Sequence, residues 1–194
     1  MAATLGQMLN INIPSFALVT LPAGIGAHDE TARRMIGDKA PAFALREVEN
    51  AMQFHCRGGG DEAGSQKERE DILFFDWWIR NNDRTKDNPN LLVDPYGIIH
   101  VIDHNQAFVN TEDLETFIGA HVFGENRKAV GFDRFQREPE LDRIMTSCWN
   151  EMAGDIPDQW IEAQSDGEET LKRIKSTLTR YKTEPKAFWT GAKP

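Results

Sequence analysis

Three side chains able to offer oxygen to a cation or a hydroxyl fall at spacings that phosphate chemistry can use: Asp83, Asn88 five residues later, and Asp103 fifteen residues after that. Phosphoryl transfer from ATP needs one carboxylate beside the attacking hydroxyl and two oxygen ligands for the Mg²⁺ that bridges the phosphates. The same residue types are common at helix ends and turns. Asp83 therefore has a second reading, as the residue that leads the chain out of a helix.

The elements that must position these residues are visible in the flanks. Lys67 to Arg80 carries Ile72, Phe75, Trp78 and Ile79 at helical spacing, with Leu73, Phe74 and Trp77 widening the stripe, and reads as a largely buried helix. It runs into Asn81-Asn82-Asp83, residues that favour caps and turns. Leu91 to Val93 and Ile98 to Ile102 are strand-like runs. Asp94-Pro95-Tyr96-Gly97 between them suits a type I turn, with Pro second and Gly fourth. The predicted unit is helix, acidic loop, hairpin, acidic loop, with Asn88 and Asp103 near the open end of the hairpin. Protein kinases give these jobs to a catalytic-loop Asp, an Asn shortly after it and an Asp beyond a hairpin. This chain has the spacing but neither HRD nor DFG.

The local words resemble the HipA-like kinases. They are Asp76-Trp77-Trp78-Ile79-Arg80-Asn81-Asn82-Asp83-Arg84, then Asn88-Pro89-Asn90-Leu91-Leu92, then Ile102-Asp103-His104-Asn105-Gln106-Ala107-Phe108. Upstream, Leu5-Gly6-Gln7-Met8-Leu9-Asn10-Ile11-Asn12-Ile13-Pro14 and Phe16-Ala17-Leu18-Val19 are similar to that family's helix-to-hinge passage. The specific part covers residues 74–108, with weaker similarity back to residue 3. The resemblance implies an α+β fold: a protein-kinase-like C-terminal lobe, mostly helical, with a catalytic β-hairpin and a small N-terminal sheet remnant. It implies one domain over residues 1–194, comprising a small-lobe remnant and hinge (1–26), a catalytic core (27–110) and a helical C-terminal part (111–194).

Roles follow position by position from that resemblance. Asp83 orients the acceptor hydroxyl or takes its proton, and Asn88 and Asp103 ligate Mg²⁺ against the ATP phosphates. Arg84 either pairs with phosphate or braces Asp83. Lys86 either reaches the transferring phosphate as a point charge or is a solvated loop lysine. His104, directly after Asp103, is the one histidine kept near the nucleotide. Asp76 sits among aromatics, where an unpaired carboxylate costs several kcal/mol. It therefore needs an Arg or backbone N–H partner, and reads as support for the loop. ATP and Mg²⁺ are the implied cofactors, and Ser/Thr protein phosphorylation the implied activity, in a family that includes toxins of toxin–antitoxin modules. The other reading is a pseudokinase-like regulator that acts by binding a protein.

A kinase small lobe supplies a glycine-rich phosphate loop and a strand lysine, and neither is evident here. Gly24-Ile25-Gly26 falls where the hinge belongs, and Gly58-Gly59-Gly60 lacks a following Lys-Ser/Thr. Lys39 is a phosphate-lobe lysine only by elimination. Three arrangements fit: a small lobe on a separate polypeptide, a start internal to a longer protein, or a reduced homologue serving as an interaction module. The first predicts an apolar face near Ala3–Pro22 on which a small-lobe subunit or antitoxin docks. Leu5, Met8, Leu9, Ile11 and Ile13 would supply that face, although their default place is the core.

Composition narrows the rest. The 194 residues carry a net charge of −9 and a pI near 5.1, which argues against direct nucleic-acid binding through a broad basic surface. Lys172-Arg173-Ile174-Lys175 and Arg180-Tyr181-Lys182 read as a solvated helix face beside Glu168 and Glu169. Cys56 and Cys148 lack metal spacing and read as free thiols. No signal peptide or ~18-residue apolar window is visible, so the expected setting is cytoplasmic and away from membranes. Beyond residue 108 the pattern is helical: a start at Thr111-Glu112-Asp113-Leu114, a stripe from Glu138 to Met152, a short piece at Pro157, and a last helix from Glu168 to Tyr181. Phe123 to Arg137 has no clear period and reads as a loop near the site.

Overall fold

A computed structural model describes residues 1–20, 41–55, 63–109, 112–126, 132–162 and 166–191. Lys39, Cys56 and both glycine-rich segments named above lie outside the described residues, as do residues 21–22.

The molecule is organised around helix α2, which follows α1 (Ala2–Met8) in the chain and spans Gln66–Trp78. Its start is a capping box: Ser65 Oγ accepts from the Glu68 N–H at 3.1 Å while Glu68 Oε2 accepts from the Ser65 N–H at 3.3 Å. Every residue from Ile72 to Trp78 is buried, Asp76 included. A helix apolar on all sides needs neighbours on all sides, and α2 has them. On one side lie Leu5, Leu9, Ile11 and Ile13 from the N-terminal region. On another, Trp77 Nε1–H donates to the Phe188 carbonyl at 3.0 Å and Trp78 Nε1–H to the Leu178 carbonyl at 2.9 Å. Ile79 caps the helix, and Arg80 beyond it, at φ 57°, turns the backbone left-handed and sends the chain into the acidic loop.

The hairpin forms as predicted. Strands β4 (Leu91–Val93) and β5 (Ile99–Val101) pair antiparallel, Leu91 opposite Val101. The turn is closed by Gly97 N–H donating to the Asp94 carbonyl at 3.0 Å, with Gly97 at φ 80°. A small N-terminal sheet was expected, but its second strand and a third strand beside the hairpin were not. β3 (Met52–Gln53) adds a third strand alongside β4, and β1 (Phe16–Val19) pairs with β2 (Ala42–Leu45) in a separate two-stranded sheet. A two-residue strand has no period to detect, so β3 is invisible without its partner.

The helical C-terminal part follows the predicted order with shifted boundaries. α3 (Leu114–Ala120) is capped by Asp113, whose carboxylate accepts from the Thr116 N–H at 2.9 Å. A 3-10 turn (Gly124–Asn126) follows. The single stripe from Glu138 divides into α4 (Arg134–Ser147) and α5 (Trp149–Gly154) at Cys148, a free thiol. α6 (Asp158–Glu162) is the expected short piece, and the expected last helix divides at Thr179 into α7 (Gly167–Leu178) and α8 (Arg180–Thr183). A further helix, α9 (Pro185–Thr190), places Phe188 and Trp189 against Phe74. Lys172, Arg173 and Lys175 are exposed as expected, but Arg180 is buried: its guanidinium lies over Trp77 and Phe188. Aromatic faces there attract the cation more than solvent does.

The apolar side chains expected near Ala3–Pro22 as a docking face are mostly core, with Leu5 fully buried and Leu9, Ile11 and Ile13 nearly so. In the N-terminal sheet the exposed large apolar side chains are instead Leu18, Phe43 and Leu45. Among the described residues, no helix is long and apolar enough to cross a membrane.

One backbone contact makes a sharp prediction. A Cβ on Gly124 would lie 1.9 Å from the Ile118 carbonyl oxygen, a clash with backbone that no rotamer change relieves. Gly124→Ala is expected to cost about 2 kcal/mol, as overpacking commonly does. Equilibrium urea unfolding measures it, and an unchanged midpoint would contradict the packing described.

Candidate active site

The loop between α2 and β4 carries Asp83 and Asn88, and its geometry starts from Asp83. Asp83 Oδ2 accepts from Asn88 Nδ2 at 3.0 Å and from Asn90 Nδ2 at 3.1 Å. The Thr85 N–H donates to the Asp83 carbonyl at 3.1 Å and the Asn88 N–H to Thr85 Oγ1 at 3.2 Å. Asp83 and Asn88 are thus neighbours within one turn. Asp83 Oδ1 and Asn88 Oδ1 accept no hydrogen bond among the described residues, and both suit a hydroxyl or a cation.

Asp103 enters from the other strand. Leu91 opposes Val101, and the Ile102 N–H donates to the Asn90 carbonyl at 3.1 Å. That bond ties the residue before Asp103 to the residue two after Asn88, at the open end of the hairpin. Asp103 is exposed, sits at φ 51°, and forms a local turn in which its Oδ1 accepts from the Asn105 N–H at 3.2 Å. A left-handed non-glycine residue is the kind of backbone feature that clusters at functional sites.

A cavity of about 770 Å³ opens on this side of the molecule, lined in part by Phe43, Leu45, Leu92 and Ile102, with Asp103, His104 and Asn105 at one edge. Asp83, Arg84, Lys86 and Asn88 are not part of its lining. His104 borders it, yet its Nε2 is buried and has no hydrogen-bond partner among the described residues, and its ring meets Phe75 edge-on.

The remaining two predicted residues are engaged elsewhere. Lys86 Nζ pairs with Glu125 of the 3-10 turn. Arg84 is fully buried. Its Nε–H donates to Asp76 Oδ2 at 2.6 Å and its Nη1 group to the carbonyls of Pro89, Asn90 and Ile102 at 3.2, 2.6 and 3.2 Å. Among the described residues no hydrogen bond runs from Arg84 to Asp83. Asp76, for which an Arg or N–H partner was expected, has Arg84, Asn81 Nδ2 at 2.9 Å and His121 Nε2 at 3.0 Å. His121 and Asn81 were not singled out from sequence. Only the demand of Asp76 for partners pointed toward them.

The electrostatics of this cluster follow from burial and partners. Burial works to raise the pKa of Asp76, but the Arg84 charge and the His121 hydrogen bond outweigh it and hold the carboxyl well below its usual range. Burial lowers the pKa of His121 against the pull of Asp76. His104 is pushed down to about 4, by burial first and then by the positive Arg84. Both histidines are neutral at physiological pH. A histidine depressed in the folded state stabilises fully above its unfolded value near 6.5 and loses that contribution as pH falls. Asp76, lowered in the folded state, loses its contribution in the same direction at more acid pH. Thermal midpoints should therefore fall steadily from pH 6.5 toward 4, and His104→Gln should show a shallower slope; equal slopes for the two proteins would disprove the assignment.

Among the described residues, no group of three or more His, Cys, Asp or Glu could hold a metal alone. The donor set at the hairpin mouth is of a different kind, one carboxylate and one amide oxygen. That suits Mg²⁺, which keeps waters and takes substrate phosphates as its other ligands. No curated protein matches the chain. The family model described as HipA-like kinase matches residues 1–192, nearly the whole length. The chain belongs to the HipA-like kinase family.

Proposed function

We propose that the chain is an ATP- and Mg²⁺-dependent phosphotransferase acting on a serine or threonine hydroxyl of a protein. The observation that carries this reading is the Asp83–Asn88 hydrogen bond in the loop that enters the hairpin, with Asp103 following the other strand and lining a cavity large enough for a nucleotide. Asn88 Oδ1 and Asp103 would hold Mg²⁺, which supplies charge neutralisation at the phosphates. Asp83 Oδ1 receives the acceptor hydroxyl and takes its proton, while Asn88 and Asn90 fix the carboxylate from its Oδ2 side. The apolar walls at Phe43, Leu45, Leu92 and Ile102 suit a planar base.

Calorimetric titration of Mg-ATP into the purified chain tests the binding half of the reading. Saturable heat that requires Mg²⁺ and is lost in Asp103→Asn supports it. Binding that is indifferent to Mg²⁺ and to this substitution sinks it. Transfer of a labelled γ-phosphate to protein acceptors tests the other half.

A further inference from the structure

The buried cluster behind the hairpin mouth has more connections than a stability role requires. Arg84 Nη1 alone reaches the carbonyls of Asn90 on the β4 side and Ile102 on the β5 side, at 2.6 and 3.2 Å. These two carbonyls flank the point where the strands diverge toward Asn88 and Asp103. The guanidinium is itself fixed by Asp76, through Nε at 2.6 Å and Nη2 at 3.4 Å. Asp76 is fixed in turn by Asn81 and by His121. His121 can serve only one way round, because its Nδ1 accepts the Phe123 N–H at 3.0 Å and leaves Nε2 to donate to Asp76. Two backbone links run in parallel. The Val122 N–H donates to the Arg84 carbonyl at 3.0 Å, and Thr85 bridges to His121. The segment after α3, some forty residues further along the chain, is thereby wired to the loop.

We infer that Asp76, Arg84 and His121 are positioning residues of the phosphoryl-transfer site, Arg84 setting the gap between Asn88 and Asp103 and His121, through Asp76, setting Arg84. This rests on the reading of Asn88 and Asp103 as the pair that holds the cation. The physical reason is multiplicity. A planar guanidinium presents a fixed fork to one carboxylate and two strands at once, which an ammonium cannot do. Buried pairs of this kind are weak sources of net stability and can serve to select one geometry.

Arg84→Lys and His121→Gln test this, since both keep the charge balance of the cluster. Two readouts are taken with folding monitored by circular dichroism: hydrogen exchange at the Ile102 amide, and the Mg²⁺ concentration for half-maximal binding of a fluorescent ATP analogue. Arg84→Lys is expected to speed Ile102 exchange about tenfold while the α2 amides stay protected. It should also raise the half-saturating Mg²⁺ about tenfold, in the range seen when outer supports of metal ligands are removed. His121→Gln should shift both readouts the same way by a smaller factor, and it decides the matter if Arg84→Lys does not fold. Folded variants with unchanged Ile102 exchange, or with an opened mouth but unchanged Mg²⁺ dependence, overturn the inference alone. No Mg²⁺-dependent binding by the unmodified chain overturns the functional reading and this inference with it.

Discussion

Asp83→Asn is expected to lower phosphoryl transfer by about 10²- to 10⁴-fold, the usual contribution of a positioned general base. The substitution is nearly isosteric, and its carbonyl oxygen can still accept from Asn88 Nδ2 or Asn90 Nδ2, which now hold Asp83 Oδ2 at 3.0 and 3.1 Å. The loop should therefore keep its shape while losing the negative charge that a hydroxyl proton needs. Rates of γ-phosphate transfer, read beside the thermal midpoint and Mg-ATP affinity, check the split. A loss of rate with binding retained supports a role at the acceptor hydroxyl. A variant as fast as the parent removes Asp83 from the chemistry, and the binding-only reading of the fold then becomes the better one.

Asp76→Ala is expected to destabilise the fold by about 3–5 kcal/mol, because it strands the fully buried Arg84 guanidinium without a counter-charge. It also removes the acceptor for Asn81 Nδ2 and His121 Nε2. Against the roughly 5–15 kcal/mol that holds a domain together, this is a large share. The measurement is chemical unfolding followed by tryptophan fluorescence, apt because Trp77 and Trp78 directly follow Asp76 on α2. Asp76→Asn, which keeps acceptor oxygen in place, should lose less. A change below about 1 kcal/mol for Asp76→Ala would mean that the ion pair is not buried as described.

What could be read from the chain alone was whatever rests on local order. The apolar crowding of residues 72–79 made α2 a buried helix, and the Pro and Gly of the 94–97 turn made the hairpin. The spacing of Asp83, Asn88 and Asp103 put these residues on the two chain segments that flank the hairpin, and a hairpin brings its two ends together wherever it sits. Even the requirement for a partner at Asp76 was legible, since the cost of a buried carboxylate is set by solvation rather than by fold.

Only the tertiary structure decided who answers that requirement. Arg84 was left between two roles near the phosphates, and its location behind the loop depends on Asn90 and Ile102 carbonyls arriving from two strands. His121 lies 45 residues from Asp76 in sequence and meets it at 3.0 Å. Nothing in the local pattern around His121 distinguishes it from the other histidines. Arg180 looked like a member of a solvated basic face until α9 and Trp77 supplied aromatic surfaces for it. The β3 and β2 strands likewise acquire meaning only from β4 and β1. Helix periods, turn residues and desolvation costs act within a few residues and survive without a fold. Partners for a buried charge and for a short strand come from distant parts of the chain, and only packing brings them together.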